Sequence, residues 1–190
     1  MTSFTTDLPF PESLTAWKAC PVCCGDVEQV VAEDGAQPHL ECRGRCGREW
    51  YANPKPTVNL FVEHPVDGRL LLVRRGKDPF EGYWDVPGGF MEEGEDAVEG
   101  ARREIREETG VEVTVGEFVG AFSDVYGTDR ATHTVNLFWR AIAVDPDAAA
   151  PSSDASEIGW FTREELPPME EIAFDCVPRA IAAWAAGLGH

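Results

Sequence analysis

Three glutamates stand close together in a segment that could bind a metal ion. Glu104, Glu107 and Glu108 have the spacing i, i+3, i+4, so on a helix their carboxylates converge within about one turn. Like charges at this distance repel, and a bound divalent cation would reverse that cost. Carboxylate oxygens suit Mg²⁺ or Mn²⁺ better than a soft metal. The alternative interpretation is a solvated, charged helix face.

A single helix over residues 95–109 is predicted to carry these acids. The stretch contains no proline, and Gly110 follows at the position of a left-handed C-terminal cap. Glu108 falls at the edge of the apolar stripe, where a solvated acid is not expected. Arg103 precedes Glu107 by one helical turn and can hold it in place. The apolar stripe consists of Ala97, Val98, Ala101 and Ile105.

A turn with two glycines comes shortly before this helix. Residues 84–89 read Trp-Asp-Val-Pro-Gly-Gly, and the glycines leave backbone carbonyl and amide groups accessible to a ligand. Acids beside such a bare backbone favour a metal and phosphate site over a solvated helix face.

Together these residues resemble the Nudix box, Gly-x5-Glu-x7-Arg-Glu-U-x-Glu-Glu-x-Gly-U, in which U is aliphatic. The resemblance covers roughly residues 55–175 and implies an α/β fold, namely an α/β/α sandwich with a mixed sheet. It also implies hydrolysis of the pyrophosphate bond in a nucleoside diphosphate linked to a group X, of the ADP-ribose, dinucleotide or nucleotide type. A non-catalytic sensor or regulator that binds such a nucleotide is the alternative. Every fixed position is matched, by Gly89, Glu95, Arg103, Glu104, Ile105, Glu107, Glu108, Gly110 and Val111.

The resemblance also implies roles for individual residues. The three glutamates would bind Mg²⁺ or Mn²⁺ together with the carbonyl of Gly88, and Arg103 would belong to the catalytic set. Glu104 is the first choice for the general base or for a ligand of the metal that activates water. A fourth acid often comes from the loop before a Trp-Phe pair, where Asp154 and Glu157 are the candidates.

Candidates for substrate binding lie outside the box. Arg74 and Arg75 close a predicted strand, and the resemblance places them near the substrate phosphates, whereas a solvated strand end is the other interpretation of either one. Tyr126 is a candidate for stacking on a nucleobase. NADH pyrophosphatases, a similar group with a cysteine ribbon, carry Ser-Gln-Pro-Trp-Pro-Phe-Pro beyond the box. Residues 121–127 here read Ala-Phe-Ser-Asp-Val-Tyr-Gly, which argues against NADH as the preferred substrate.

Four cysteines near the N-terminus have the spacing of a structural zinc site. They form C-x2-C and C-x3-C separated by eighteen residues, a pattern that can place four thiolates around Zn²⁺ in a ribbon of two or three strands. Cys24 could replace Cys23 as a ligand, and His39 is a weaker substitute. A redox dithiol is the alternative function, but the strand and helix context that it requires is missing. The predicted zinc ligands are Cys20, Cys23, Cys42 and Cys46.

The chain is expected to contain an N-terminal tail over residues 1–19, the zinc ribbon over 20–50, and a Nudix hydrolase domain with a C-terminal helix over 51–190. Further strands are predicted at residues 57–62, 69–75, 111–125 and 132–144 from their alternating apolar residues, with the first two joined as a hairpin. A last helix is predicted over residues 177–186. Cys176 is expected to be a buried small hydrophobe.

Composition limits the partners. The net charge is −18, which argues against a protein that binds long nucleic acid by counterion release, and against an anionic membrane partner. The expected ligand is a small-molecule nucleotide, which is what the resemblance to the Nudix family implies, and a homodimer is an alternative to a monomer. No signal peptide or membrane span is recognisable, which favours a cytoplasmic location.

Overall fold

The computed structural model describes residues 10–31, 37–128, 132–152 and 154–187. Its contacts divide the chain into two compact units, Met1–Asn53 and Pro54–His190. Within the described residues, no helix has the length and apolar character needed to cross a bilayer.

The first unit contains a small antiparallel sheet. Its strands pair in the order β1-β2-β3, which fits a ribbon of three strands. Few of the side chains that the structure describes in this unit are buried, and two of the buried apolar ones are cysteines. So small a core folds poorly without a further stabilising element, and a bound metal can supply it. The elements are α1 Glu12–Thr15, β1 Val27–Val30, β2 His39–Cys42 and β3 Glu49–Tyr51.

The second unit is built on a mixed sheet, with the strand order β10-β5-β4-β9-β8. The central strands β4 and β9 run parallel, and the other pairs are antiparallel. Two short strands, β6 and β7, pair with β5 and β4 respectively. The strands are β4 Lys55–Glu63, β5 Leu70–Arg75, β6 Trp84–Asp85, β7 Gly88–Phe90, β8 Val113–Tyr126, β9 Thr132–Ala143 and β10 Ala155–Phe161.

One helix covers each face of this sheet. Alternate residues of β4 point to opposite faces, as strand geometry requires: Val58 and Leu60 pack with Ile105 of α2, whereas Phe61 packs with Trp184 of α3. The sheet is therefore buried on both sides, and the predicted α/β/α sandwich with a mixed sheet is confirmed. The two helices are α2 Ala97–Thr109 and α3 Cys176–Ala186, and short 3-10 turns span Pro146–Ala148, Arg163–Glu165 and Met169–Glu171.

Candidate active site

A cavity of about 310 Å³ in the second unit collects most of the predicted site residues. Its wall is formed by side chains and backbone from the sheet, the glycine turn, α2 and the start of α3. The predicted residues that line it are Arg75, Gly88, Glu104, Glu108, Tyr126 and Asp154. Arg74, Arg103, Glu107 and Glu157 are not among its lining residues.

Glu108 is fixed at the glycine turn. Its Oε2 accepts a hydrogen bond from the Gly88 amide at 3.0 Å. A side chain at Gly88 would collide with the carbonyl oxygen of Val58 and come within 2.7 Å of the Asn59 Cα, so only glycine lets β7 lie this close to β4. Burial raises the pKa of Glu108 to about 8, and the nearby Asp85 carboxylate adds to the rise. The metal-free site thus holds this acid protonated near neutral pH.

Glu104 lies against bare backbone at the next glycine. A Cβ at Gly89 would collide with the Glu104 carboxyl group. Burial raises the pKa of Glu104, although the guanidinium of Arg103 opposes the shift. The carboxyl group of Glu104 is therefore both at the cavity and partly removed from water.

Arg103 neutralises the acids around it. Its Nε and Nη2 donate to the two oxygens of Glu95 at 2.8 and 3.1 Å, and Nη1 donates to Glu104 at 2.8 Å and to Glu107 at 3.2 Å. Nη2 also donates to the Phe90 carbonyl at 3.2 Å. The predicted contact with Glu107 is present, but Glu95 and Glu104 are held more closely.

The three glutamates do not form a closed metal site. The Glu107 side chain is 60% exposed and turned to Arg103, while Glu108 is turned to Gly88. Within the described residues, the four cysteines alone form a group of three or more candidate ligands whose atoms all lie within 4.8 Å of one another. The oxygen donor set at the cavity suits Mg²⁺ or Mn²⁺, and Glu107 would have to turn away from Arg103 to complete it.

Asp85 is a buried acid in the cavity wall that the sequence analysis did not single out. It lies on the two-residue strand β6, and its Oδ2 accepts a hydrogen bond from Arg75 Nη1 at 3.2 Å. Burial raises its pKa to about 7 even though the charge of Arg75 opposes the shift. The sequence feature that could have identified Asp85 is an acid inside the otherwise apolar run Trp-Asp-Val.

The adjacent arginines Arg74 and Arg75 point to different places. Arg75 lines the cavity, with its Cζ 4.9 Å from the centre of the Phe174 ring. Arg74 donates to the Gly82 carbonyl at 2.7 Å and forms an exposed ion pair with Glu157 at 3.1 Å. The structure thus brings one arginine of the predicted pair to the cavity and leaves the other outside it, together with Glu157.

Of the two candidates for a fourth acid, Asp154 is the one at the cavity. Its Oδ2 accepts a hydrogen bond from Lys77 Nζ at 2.6 Å, and both residues line the cavity. Lys77 adds a second cation to this wall beside Arg75. Lys77 was not predicted, because a lysine in a loop carries no distinctive pattern.

Aromatic rings form another part of the wall. Tyr126 meets the edge of Phe90 at a centroid distance of 5.1 Å and stacks with Phe174 at 5.8 Å, with the ring planes 19° apart. Such a surface can pack against the planar face of a nucleobase. Phe174 was not predicted, since it precedes the last helix in a segment with no recognised motif.

Polar side chains on the parallel strands β4 and β9 form the floor. Thr57 donates to the amide oxygen of Asn136 at 2.6 Å, and Asn136 donates to Thr134 at 3.0 Å. Asn59 donates to the Thr57 hydroxyl at 3.2 Å. Residues at these positions of a two-sided sheet are normally apolar, so a bonded polar floor gives the cavity hydrogen-bonding capacity that the alternation of the strands did not reveal.

The four cysteines of the first unit form a compact sulfur cluster. The Sγ atoms of Cys23 and Cys42 are 3.4 Å apart, and those of Cys20 and Cys46 are 3.5 Å apart. Hydrogen bonds from the Gly25 amide and the Cys42 thiol lower the pKa of Cys23 to about 6. Four thiolates at this spacing fit a zinc ion.

Cys24 and His39, the two substitutes for Cys23, are outside this cluster. Cys24 is exposed and has a left-handed backbone, with φ of 56°, while the His39 ring stacks on Tyr51 at 4.9 Å. The geometry therefore favours Cys23 over both as the zinc ligand.

Comparison with known proteins agrees with this geometry. A model of the NUDIX domain matches residues 53–180, which is more than half of the chain. The protein therefore belongs to the Nudix family.

The names of individual relatives describe different activities. The ADP-ribose pyrophosphatase of Methanocaldococcus jannaschii is 33% identical over 125 residues, covering 66% of this chain and 70% of that protein. The NAD-capped RNA hydrolase NudC of Pseudomonas aeruginosa is 24% identical over 162 residues, covering 85% of this chain and 55% of that protein. This chain thus spans only about half the length of NudC. A crystal structure of a NUDIX hydrolase from Nitrosomonas europaea matches with a TM-score of 0.74 at 28% identity, covering 92% of this chain and 94% of that one.

Proposed function

We propose that this protein is a divalent-metal-dependent Nudix pyrophosphohydrolase that acts on a nucleoside diphosphate linked to a group X. The observation that carries the proposal is the placement of Glu104 and Glu108 at one cavity against the bare backbone of Gly88 and Gly89. The burial of these two acids serves no evident structural purpose. They are suited to binding a cation that binds phosphate in turn.

In this proposal Glu104, Glu107 and Glu108 hold Mg²⁺ or Mn²⁺, with Gly88 contributing its carbonyl. The metal would lower the pKa of a bound water and neutralise charge on the phosphate oxygens. Arg103 holds Glu104 near the site through its hydrogen bond, whereas its bond to Glu107 would be released when Glu107 turns to the metal. Asp154 is the candidate for an additional acid, because it lines the same cavity, and Glu157 is the weaker one.

Glu104 is proposed as the general base or as a ligand of the metal that activates the water. A general base works best when its pKa approaches the working pH, and burial moves the pKa of Glu104 in that direction. Arg75 and Lys77 give the wall positive charge for the substrate phosphates. Tyr126, with Phe90 and Phe174, offers the surface for a base.

Among substrates, we propose ADP-ribose or a similar small nucleotide first. The support is the ADP-ribose pyrophosphatase that is 33% identical over 125 residues. The sequence at residues 121–127 departs from the NADH pyrophosphatase pattern, which argues against NADH. The proposal also includes a zinc ion held by Cys20, Cys23, Cys42 and Cys46. It divides the chain into a tail over residues 1–19, a zinc ribbon over 20–50 and a hydrolase domain over 51–190, and it includes a homodimer and a cytoplasmic location.

A substrate panel tests this function. Purified protein is incubated with Mg²⁺ or Mn²⁺ and with ADP-ribose, NADH, deoxynucleoside triphosphates, dinucleoside polyphosphates or coenzyme A, and the products are separated by chromatography. We expect AMP from ADP-ribose, with no product in the presence of EDTA. Binding of ADP-ribose without cleavage of any compound would instead support the sensor alternative.

A further inference from the structure

Two neighbouring arginines in β5 make ion pairs of very different character. The side chains of Arg75 and Asp85 are 18% and 12% exposed, and they line the cavity. Those of Arg74 and Glu157 are 45% and 54% exposed. Water screens the outer pair, so the inner pair alone is expected to fix its arginine firmly.

Three contacts hold the Arg75 guanidinium in one place. Nε donates to the Pro79 carbonyl at 2.7 Å, Nη1 donates to Asp85 Oδ2 at 3.2 Å, and the group lies 4.9 Å from the centre of the Phe174 ring. Within the described part of the chain, no hydrogen bond occupies Nη2. A guanidinium whose orientation is already set loses less rotamer freedom when it binds an anion.

Asp85 is itself anchored to the backbone. Its Oδ1 accepts a hydrogen bond from the Val86 amide at 2.9 Å, and the strand that carries it pairs with β5 at Val73. One carboxylate oxygen is therefore bonded to backbone and the other to Arg75. With both oxygens engaged, Asp85 is arranged to act through Arg75 rather than to touch the substrate.

We propose that Asp85 is a positioning residue, which holds Arg75 at the cavity wall so that its remaining N–H groups bind an anionic phosphate of the substrate. This inference rests on the proposed function for the identity of the ligand, a nucleoside diphosphate. It predicts that Asp85 governs affinity for the diphosphate and has little influence on the turnover of bound substrate.

Asp85→Asn is the sharpest variant. Asparagine nearly keeps the shape but has a single acceptor oxygen, so it cannot accept from Val86 and Arg75 through separate oxygens. Arg75→Gln removes the guanidinium. Glu112→Gln is the matched control, because it removes an acid from an exposed pair with Arg106.

The first measurement is the affinity of the protein for ADP in the presence of Mg²⁺, determined by calorimetry for the wild type, the single variants and the double variant. The second is kcat and KM of the same proteins for any substrate found. We expect Asp85→Asn and Arg75→Gln each to weaken ADP binding about 10-fold and to raise KM similarly with kcat within about 3-fold, because each disturbs a charge-assisted phosphate contact. The double variant should bind ADP no more than about 2-fold more weakly than the single variant with the lower affinity, since both substitutions act through the Arg75 guanidinium. Glu112→Gln should stay within about 2-fold of wild type.

The inference is overturned if Asp85→Asn binds ADP like the wild type, if the losses of the two variants multiply, or if kcat falls with KM unchanged. Should Asp85→Asn fail to fold, Arg75→Lys replaces it, since lysine keeps the charge but not the shared geometry. It should bind ADP at least about 5-fold more weakly, and wild-type affinity would overturn the inference. A third outcome separates the two proposals. If the wild type binds ADP, the variants show these losses in affinity, and no compound is cleaved, the proposed hydrolysis is refuted and the positioning role remains supported.

Discussion

The amide of Gly88 donates a hydrogen bond to the carboxylate of Glu108 at 3.0 Å, across twenty residues of sequence. This contact joins the glycine turn to the helix of the box. Because the position of Gly88 admits no side chain, the same glycine permits the close approach and supplies the donor. The glycine turn and the helix of the box thus meet through a specific hydrogen bond at the cavity.

Arg103 should be essential to the stability of the acid cluster. Arg103→Met leaves Glu95 and Glu104 without their shared cation, and both side chains are only 15% exposed. We expect the free energy of unfolding, measured by urea denaturation of the metal-free protein, to fall by about 2–4 kcal/mol, as for other partly buried pairs that lose one partner. The matched variant Arg102→Met, at an exposed position paired with Glu99, should lose less than about 1 kcal/mol. Equal losses in the two variants would contradict this account of Arg103.

Metal binding should depend on pH through Glu108. Its pKa is raised to about 8 by burial, so below that pH a metal must displace the proton. The apparent affinity for Mn²⁺, measured by calorimetry between about pH 6 and pH 9, should rise up to about 10-fold per pH unit and level off above about pH 8. An affinity that is flat over this range, or a rise that persists unchanged in Glu108→Gln, would argue against the assignment.

The same raised pKa has a consequence for stability. A buried acid with a raised pKa stabilises the metal-free fold when it is protonated, and this contribution is lost as the pH rises through the pKa in the folded state, about 8 for Glu108. The melting temperature of metal-free wild type relative to Glu108→Gln should therefore fall between about pH 5 and pH 8. Scanning calorimetry of both proteins without metal measures the difference, and a constant or rising difference would contradict the burial of this acid.

Zinc content should distinguish Cys23 from its neighbour Cys24. The Cys23 sulfur lies in the four-cysteine cluster, whereas Cys24 is exposed and outside it. Freshly purified wild type and Cys24→Ser should each contain close to one equivalent of zinc by elemental analysis, and Cys23→Ser should contain much less. Retention of zinc by Cys23→Ser together with its loss from Cys24→Ser would reverse the ligand assignment.

The box helix could be predicted closely because its spacing, apolar stripe and terminal glycine all agree. It begins at Ala97 rather than at residue 95, since Asp96 keeps an extended backbone, with ψ of 140°, and serves as the N-cap. The strands β6 and β7 were not predicted. They have two and three residues and exist through pairing with longer strands, which no local pattern shows.

The rest of the site depends on tertiary placement. Alternation along β5 predicts that Arg74 and Arg75 face opposite ways, but it does not tell which face bears the cavity. Asp85, Phe174 and the polar floor become part of the site because distant segments meet around one space. Chemistry concentrated in a motif was therefore predictable, whereas the walls that hold a substrate were not.

The central claim is that the box glutamates hold the catalytic metal at the cavity. It is tested most directly by kcat with saturating Mg²⁺ for Glu108→Gln and Glu107→Gln beside Glu99→Gln, which removes an exposed acid of the same helix that pairs with Arg102. If the claim is right, the first two variants remain folded but lose at least about 100-fold in kcat, since each removes a metal ligand, and Glu99→Gln stays within about 2-fold of wild type. Near-normal turnover by Glu108→Gln and Glu107→Gln would contradict the claim.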